Sequence, residues 1–144
     1  MRIINTEQII ESVEKLCMDA NYYLNDDLLN ALDTCRENEE SETGREILMQ
    51  IIDNARLAAG EKMAICQDTG MAVVFVELGQ DVHIEGGILA DAINEGVRRG
   101  YKNGYLRRSV VKNPLERVNT GDNTPAVIHY DIVPGDRIKI TVAP

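Results

Sequence analysis

The sequence predicts an α+β fold in which a helical N-terminal layer, residues 1–60, leads into a mixed sheet that is crossed by a helix and ends in a β-hairpin. Apolar residues recur at helical spacing through the first 60 residues, whereas runs of β-branched residues dominate much of the remainder. The chain has 144 residues, of which 44% are hydrophobic, so we expect one domain spanning residues 1–144. Because only 4% of the residues are aromatic, its core must be mainly aliphatic.

Three helices are predicted in residues 1–60. Asn5 and Gln8 are spaced as an N-cap and its reciprocal partner, and an apolar face follows over residues 9–20. A second helix is expected to begin near Asn25, and Gly60 is a natural C-terminal stop for the third. The apolar faces predicted for the second and third helices are Leu28, Ala31, Leu32 and Cys35, and Ile47, Leu48, Ile51, Ile52, Ala55 and Ala59.

Residues 61–144 predict strands with one helix between them. The run 71–78 (MAVVFVEL) is rich in β-branched residues and predicts a largely buried strand. A helix is expected between Gly86-Gly87 and Gly104, because apolar residues recur there on one helical face.

The last part of the chain predicts the hairpin. Residues 128–132 and 138–142 alternate between apolar and polar side chains, which is typical of strands with one buried face. Pro134-Gly135 lies between the two runs and is a strong turn signal. We therefore expect the two strands to pair with each other.

Composition and charge exclude several classes of protein. The net charge is −9, and a local basic cluster in residues 98–117 suits a small anion better than a nucleic acid. No stretch approaches the ~20 apolar residues that cross a bilayer, so we expect no membrane partner. The N-terminus does not resemble a signal peptide, so we expect a cytoplasmic protein. Cys17, Cys35 and Cys66 should then be reduced thiols rather than a disulfide framework.

The first candidate site is the segment 65–70 (ICQDTG), between a predicted helix and a strand. A short polar loop can keep the Cys66 thiol accessible, either as an iron–sulfur ligand or as a nucleophile. Asp68 offers a carboxylate for proton transfer, and Gln67 offers a donor and an acceptor. The alternative is structural: residues 68–70 form a turn, and Cys66 is a small buried residue.

Two further polar segments are candidates. Residues 105–109 (YLRRS) follow the helix end, and an arginine there could hold a carboxylate with two parallel hydrogen bonds. The alternative is a solvated basic helix end. Residues 119–125 (NTGDNTP) could brace a site or simply turn the chain. His83 and His129 are too isolated to form a metal site by their spacing.

These segments follow the order of a known family. The run CQDTG before MAVVFVEL resembles the first cluster-cysteine motif of class I fumarate hydratases. ILADAINEGVRRGYKNGYLRRSVV resembles the helix and arginine motif that follow, and RVNTGDNTPAVIHYDIVPGDRIKITVAP is similar to the segment before that family's glycine-rich loop. The resemblance covers residues 61–144 and, more loosely, 1–60. The chain is thus identified as an N-terminal part of an alpha subunit of the class I fumarate hydratase and tartrate dehydratase family.

The resemblance implies a [4Fe-4S] hydro-lyase acting on a small dicarboxylate, with fumarate to malate as the main expectation. It implies that Cys66 is one of three cluster ligands, the others lying beyond Pro144. Gln67 and Asp68 would line the substrate pocket, with Asp68 as the acid or base, and Arg107 would bind a substrate carboxylate. A beta subunit or C-terminal domain would complete the site in an oligomer, and this fragment alone would be inactive.

Three other functions stay open on the sequence. The family includes tartrate dehydratases, and substrate choice depends on both halves of the pocket. A module that kept the fold but assists assembly without catalysis is a second alternative. A thiol-dependent enzyme that uses Cys66 as its nucleophile is a third, although no histidine is near it in sequence.

Overall fold

The computed structural model describes all 144 residues, in five strands and four helices. The α+β class is confirmed. In chain order the elements are β1 (Arg2–Asn5), α1 (Thr6–Tyr22), α2 (Asp26–Asn38), α3 (Glu42–Glu61), β2 (Val73–Gly79), β3 (Val82–Glu85), α4 (Leu89–Asn103), β4 (Val127–Val133) and β5 (Ile138–Ala143).

The core forms where α1 and α4 pack against each other and against one face of a three-stranded sheet. The helices approach closely because α4 presents two glycines to α1. A Cβ on Gly96 would lie 2.6 Å from the Cβ of Val13, and one on Gly100 would lie 2.8 Å from the Cβ of Cys17. The buried residues are mostly Ile, Val and Ala, as the composition predicts, with Tyr101 as the largest fully buried side chain.

The start of α1 confirms the predicted cap. The Asn5 side chain accepts a hydrogen bond from the Glu7 amide at 2.9 Å, and the Asn5 amide donates to the Gln8 side chain at 3.1 Å. Two short strands were not predicted: β1 precedes this helix and pairs in parallel with β3. Four residues each are too few to produce a clear alternation in the sequence.

The predicted C-terminal hairpin is wrong, although both of its strands exist. The order in the sheet is β4-β2-β5, with β4 parallel and β5 antiparallel to the central β2. The chain at Pro134-Gly135 does reverse direction, but it passes over the end of β2. There the Gly79 amide donates to the Arg137 carbonyl at 2.8 Å, and a Cβ on Gly79 would lie 2.5 Å from the Gly135 carbonyl oxygen.

Burial in the N-terminal helices is lower than predicted. The face expected on α2, Leu28, Ala31, Leu32 and Cys35, is not buried: no residue of α2 is, and Leu28 is 48% exposed. The helix packs against α3 rather than against the core. The end of α3 also differs, because Gly60 lies within the helix and the left-handed cap is Lys62 (φ 53°).

The central strand β2 is buried on one side only. Val74 and Val76 are buried beneath the helices, whereas Phe75 is 46% exposed on the other face. The prediction of a largely buried strand was therefore too strong, because β-branched residues on both faces do not require helices on both faces. No helix of this fold is both long enough and apolar enough to cross a membrane.

Candidate functional site

The Cys66 loop, residues 66–70, connects α3 to β2 and is anchored just before it begins. The Ile65 amide donates to the Asn21 carbonyl at 3.0 Å, and the Asn54 side chain donates to the Ile65 carbonyl at 2.9 Å. These bonds attach the loop to the end of α1 and to α3. Cys66 itself is exposed, which contradicts the alternative that it is a buried packing residue.

Asp68 combines a turn-forming contact with an accessible carboxylate. Its amide lies 3.5 Å from the Cys66 sulfur, and its side-chain oxygen accepts from the Gly70 amide at 3.4 Å. Gly70 has a φ of 58°, which favours glycine. Asp68 and Gln67 are both exposed, so the turn leaves their polar groups free for a ligand.

Thr69 joins the Cys66 loop to two other parts of the chain. It is 2% exposed, and its hydroxyl donates to the Arg107 carbonyl at 3.0 Å. Its own carbonyl accepts from the Tyr101 hydroxyl at 2.6 Å. Tyr101 lies on α4 and is 1% exposed, and this burial raises its pKa to about 12. The hydroxyl therefore stays protonated as a donor at neutral pH.

The arginine loop, residues 105–110, begins where α4 ends. Tyr105 adopts a left-handed conformation (φ 53°), and Leu106 is buried after it, so the chain turns sharply before Arg107. Arg107 is exposed and takes part in no ion pair. Arg108 instead donates to the Gly121 carbonyl at 2.9 Å. Of the two arginines, Arg107 is the one whose guanidinium is free to hold an anion.

The third polar segment, residues 119–125, reaches the other two loops through Asn123. This side chain is 0% exposed. Its oxygen accepts from the Ser109 and Val110 amides at 2.7 and 3.0 Å, and its nitrogen donates to the Gly70 carbonyl at 3.1 Å. The three segments that are separate in sequence thus form one hydrogen-bonded assembly.

A charge pair fixes this segment to α4. The Arg98 guanidinium donates to the Asp122 carboxylate at 3.0 Å, and Thr124 donates to it through both its amide and its hydroxyl. Burial by itself would raise the pKa of Asp122, but the bonds from Arg98 and Thr124 outweigh it and lower that pKa to about 2. The carboxylate is therefore ionised at neutral pH and serves as an acceptor rather than as a proton carrier.

The sequence did not reveal the roles of Asn123, Tyr101 and Thr69. Asn123 and Thr69 belong to the candidate segments 119–125 and 65–70, but the spacing within these segments does not indicate which side chains face inward. Tyr101 carries no signal at all, since a tyrosine on an apolar helix face is usually a packing residue.

The remaining thiols and imidazoles lie outside the assembly. Cys17 is buried in the core, and burial raises the pKa of its thiol to about 12. Cys35 is exposed on α2. His83 lies on β3, and His129 stacks on Phe75 across the open face of the sheet at a ring distance of 5.1 Å.

No group of three or more His, Cys, Asp or Glu side chains is placed to hold a metal ion. The three cysteines in particular do not form such a group. An iron–sulfur cluster held by three protein thiolates therefore does not fit the residues of this chain alone. Cys66 is the one thiol that combines exposure with a loop position.

The fold and the site together define a protein that presents chemically active side chains on loops, next to a position suited to a small anion. An α+β scaffold carries three joined loops that present a thiol, a carboxylate and a free guanidinium. Binding and catalytic residues commonly lie on loops held by a rigid scaffold, and an exposed arginine beside polar groups suits a small anionic ligand.

Comparison with known proteins identifies the family. A family model described as fumarate hydratase (Fumerase) matches residues 10–144, so the chain belongs to the fumarate hydratase (Fumerase) family. The resemblance found in the sequence is confirmed.

Three relatives illustrate the match. The chain is 32% identical, over 95% of its length, to a putative L(+)-tartrate dehydratase subunit alpha of Methanocaldococcus jannaschii, and covers 50% of that protein. It is 38% identical, over 74% of its length, to an aerobic class I fumarate hydratase of Escherichia coli K12, and covers 20% of it. It is 31% identical, over 81% of its length, to an L(+)-tartrate dehydratase subunit alpha of Escherichia coli UTI89, and covers 39% of it. The chain thus spans half or less of each relative.

Proposed function

We propose that this chain is part of a hydro-lyase that reversibly hydrates a small dicarboxylate, with fumarate and malate as the main substrate pair. The observation that carries the proposal is the joining of the Cys66 loop to the arginine loop through Thr69 and Asn123. This arrangement holds a thiol, a carboxylate and a free guanidinium on one braced set of loops. Membership of the fumarate hydratase family supports the choice of reaction.

Arg107 binds a carboxylate of the substrate in this proposal. Its planar guanidinium can donate two parallel hydrogen bonds to a carboxylate, and no acid of this chain competes for it. The backbone of Arg107 is held by Thr69, so the loop that carries the cation cannot move far from the Cys66 loop.

Asp68 transfers the proton, and Gln67 contacts the substrate. Hydration of a double bond requires a proton to be added to one carbon or, in the reverse direction, removed from it. Asp68 is exposed and follows Cys66 by two residues. Its single long bond to the Gly70 amide leaves the other carboxylate oxygen free for this role.

Cys66 supplies one of three thiolate ligands of a [4Fe-4S] cluster, and the other two lie in polypeptide beyond Pro144. A beta subunit or a C-terminal domain completes the substrate site, and two relatives named as alpha subunits support a multisubunit enzyme. We place the assembled oligomer in the cytoplasm, where thiols stay reduced. The isolated chain should bind no stable cluster. Near-stoichiometric iron and sulfide in the purified chain would contradict this assignment.

Tartrate dehydration is the second candidate reaction. It is favoured by the Methanocaldococcus jannaschii relative, which matches almost the whole chain and is named for that substrate. The alternative of a non-catalytic assembly module predicts neither activity.

The function is tested on the assembly that the tagged chain forms in its own cells, purified without oxygen. We expect iron, and conversion of fumarate or of tartrate followed by ultraviolet absorbance. Arg107→Lys should reduce kcat/KM about tenfold or more, because the ammonium group loses the planar fork. The matched control Arg108→Lys should have a smaller effect, since Arg108 bonds a backbone carbonyl. An iron-containing assembly that converts neither substrate would refute the proposal.

A further inference from the structure

Asn123 belongs to neither the Cys66 loop nor the arginine loop, yet its side chain is hydrogen-bonded to both of them. It is 0% exposed and adopts a left-handed backbone conformation with a φ of 63°. Asparagine tolerates that conformation better than most residues other than glycine. We propose that Asn123 is a positioning residue that sets the location of the arginine loop relative to the Cys66 loop, a role whose catalytic meaning rests on the proposed function.

The hydrogen bonds of Asn123 require an amide. The side-chain oxygen accepts from two successive amides, Ser109 at 2.7 Å and Val110 at 3.0 Å. The nitrogen donates to the Gly70 carbonyl at 3.1 Å. A carboxylate could accept the first two bonds but could not donate the third. The same residue therefore holds one loop as an acceptor and the other as a donor.

These bonds do not belong to any helix or strand. Ser109 and Val110 lie beyond α4, and Gly70 lies before β2. Backbone groups in such positions depend on side chains or water for their partners. Asn123 takes the place of water as the partner of three such groups, two amides and one carbonyl. Its complete burial strengthens these bonds, because no solvent competes for them.

The consequence for Arg107 follows from a second attachment. The Arg107 carbonyl accepts from Thr69 at 3.0 Å, so residues 107–110 are linked to the Cys66 loop both directly by Thr69 and through Asn123. Other hydrogen bonds tie this segment to residues 119–121, but its hydrogen bonds to the Cys66 loop run through Thr69 and Asn123. Asn123 adds the second link and so fixes where the backbone that carries the Arg107 guanidinium lies relative to Cys66 and Asp68. Small misplacements of a substrate-binding group are costly to catalysis.

Hydrogen exchange and thiol alkylation of the full chain test the positioning directly. In the unmodified protein the Ser109 and Val110 amides should exchange slowly, although they lie in a loop. Asn123→Gly keeps the backbone conformation but removes all three bonds, and should speed exchange at both amides at least tenfold. Asn123→Asp should leave these amides protected and break only the bond to Gly70.

Alkylation by iodoacetamide reports on the other loop. Both Asn123 variants should change the rate at Cys66 at least threefold, whereas the rate at Cys35, exposed on α2, should stay the same. The matched controls are Asn113→Gly and Asn113→Asp. The Asn113 side chain accepts only from the nearby Leu115 and Glu116 amides, so these controls should alter neither measurement.

Two results would overturn the proposal. One is rapid exchange at Ser109 and Val110 in the unmodified protein, a measurement that remains decisive even if neither variant folds. The other is a folded Asn123→Gly protein with normal exchange and normal Cys66 alkylation.

The assembled enzyme separates positioning from general stability. Asn123→Gly should raise the KM for the dicarboxylate at least tenfold with iron content unchanged. Ile52→Ala removes a buried side chain of α3 that lines a cavity facing Asp33 and Arg36 of α2, so it should lower stability but leave KM unchanged. An unaltered KM in Asn123→Gly would overturn the catalytic part of the inference. An unmodified assembly without hydro-lyase activity would refute the proposed function instead, while the loop measurements would still decide the positioning.

Discussion

Replacing Tyr101 by phenylalanine removes one oxygen atom and tests how α4 supports the Cys66 loop. The hydroxyl donates to the Thr69 carbonyl at 2.6 Å and lies 3.4 Å from the Gly70 carbonyl, so the first contact dominates. Tyr101 and Thr69 are almost completely buried, and water cannot easily replace the lost donor. A hydrogen bond contributes about 1 kcal/mol net, and a buried group left unsatisfied costs about 1–3 kcal/mol. We expect Tyr101→Phe to lower the free energy of unfolding by about 1–2 kcal/mol.

Urea unfolding followed by circular dichroism measures this change. Tyr130→Phe is the matched control, because the Tyr130 ring is 47% exposed on β4. It should shift the unfolding free energy by less than about 0.5 kcal/mol, as exposed substitutions usually do. Tyr101→Phe should also alter Cys66 alkylation, since Thr69 lies three residues along the same loop. Equal stability of the two variants would refute the reasoning that Tyr101 acts through its hydroxyl.

Three further predictions concern the carboxylate, the helix contact and alkaline pH. In the assembled enzyme Asp68→Asn should lower turnover roughly 10²-fold or more while the iron content stays the same, because an amide can still accept from the Gly70 amide but cannot transfer a proton. Near-normal turnover would mean that Asp68 only stabilises the turn. Gly96→Ala should lower the free energy of unfolding, measured in urea, by up to about 2 kcal/mol. Overpacking against Val13 costs about 1–3 kcal/mol, and the higher helix propensity of alanine offsets about 1 kcal/mol of that cost. The control is Gly60→Ala, whose added Cβ would meet nothing within 4 Å and should raise the free energy of unfolding by about 0.5–1 kcal/mol. Equal changes in the two variants would refute the close contact between Gly96 and Val13. Because burial raises the pKa of Tyr101 to about 12, its neutral form contributes stability below pH 10 that is lost as pH rises through 12. Unfolding measured from pH 9 to 12 should show a smaller loss in Tyr101→Phe than in the parent, and identical curves would contradict the assignment.

Local signals predicted most of the helices and strands. The capping pair at Asn5 and Gln8, the helix before Gly104 and the strands near 73–79, 127–133 and 138–143 all depend on nearby residues. Such features follow from hydrogen bonds and side-chain periods within a few residues, so the sequence carries them directly.

The failures concern long-range choices. The alternation of apolar and polar residues predicts two strands, and Pro134-Gly135 predicts that the chain reverses between them. Neither signal indicates whether a third strand lies between the two in the sheet. Here β2 does so, and its Val73 pairs with Val127, which lies 54 residues later in the chain. Likewise, the spacing of apolar residues in α2 predicts an apolar face around Leu28, but it does not indicate whether that face packs against the core of the fold. The candidate site shows the same limit, since Cys66, Asp68 and Arg107 stand out as residue types while Asn123 acquires its role only through contacts across the fold.

The close packing of α1 and α4 has a consequence for the candidate site. Gly100 directly precedes Tyr101, and a Cβ there would meet Cys17 at 2.8 Å and the Glu14 carbonyl at 2.9 Å. Because backbone cannot yield as a flexible side chain does, any larger residue would push this part of α4 away from α1. The Tyr101 hydroxyl would move with it, away from the Thr69 carbonyl that it contacts at 2.6 Å. The contact between α1 and α4 thereby determines how far the Cys66 loop lies from the core. Because Thr69 also donates to the Arg107 carbonyl, the same contact affects the position of the Arg107 backbone.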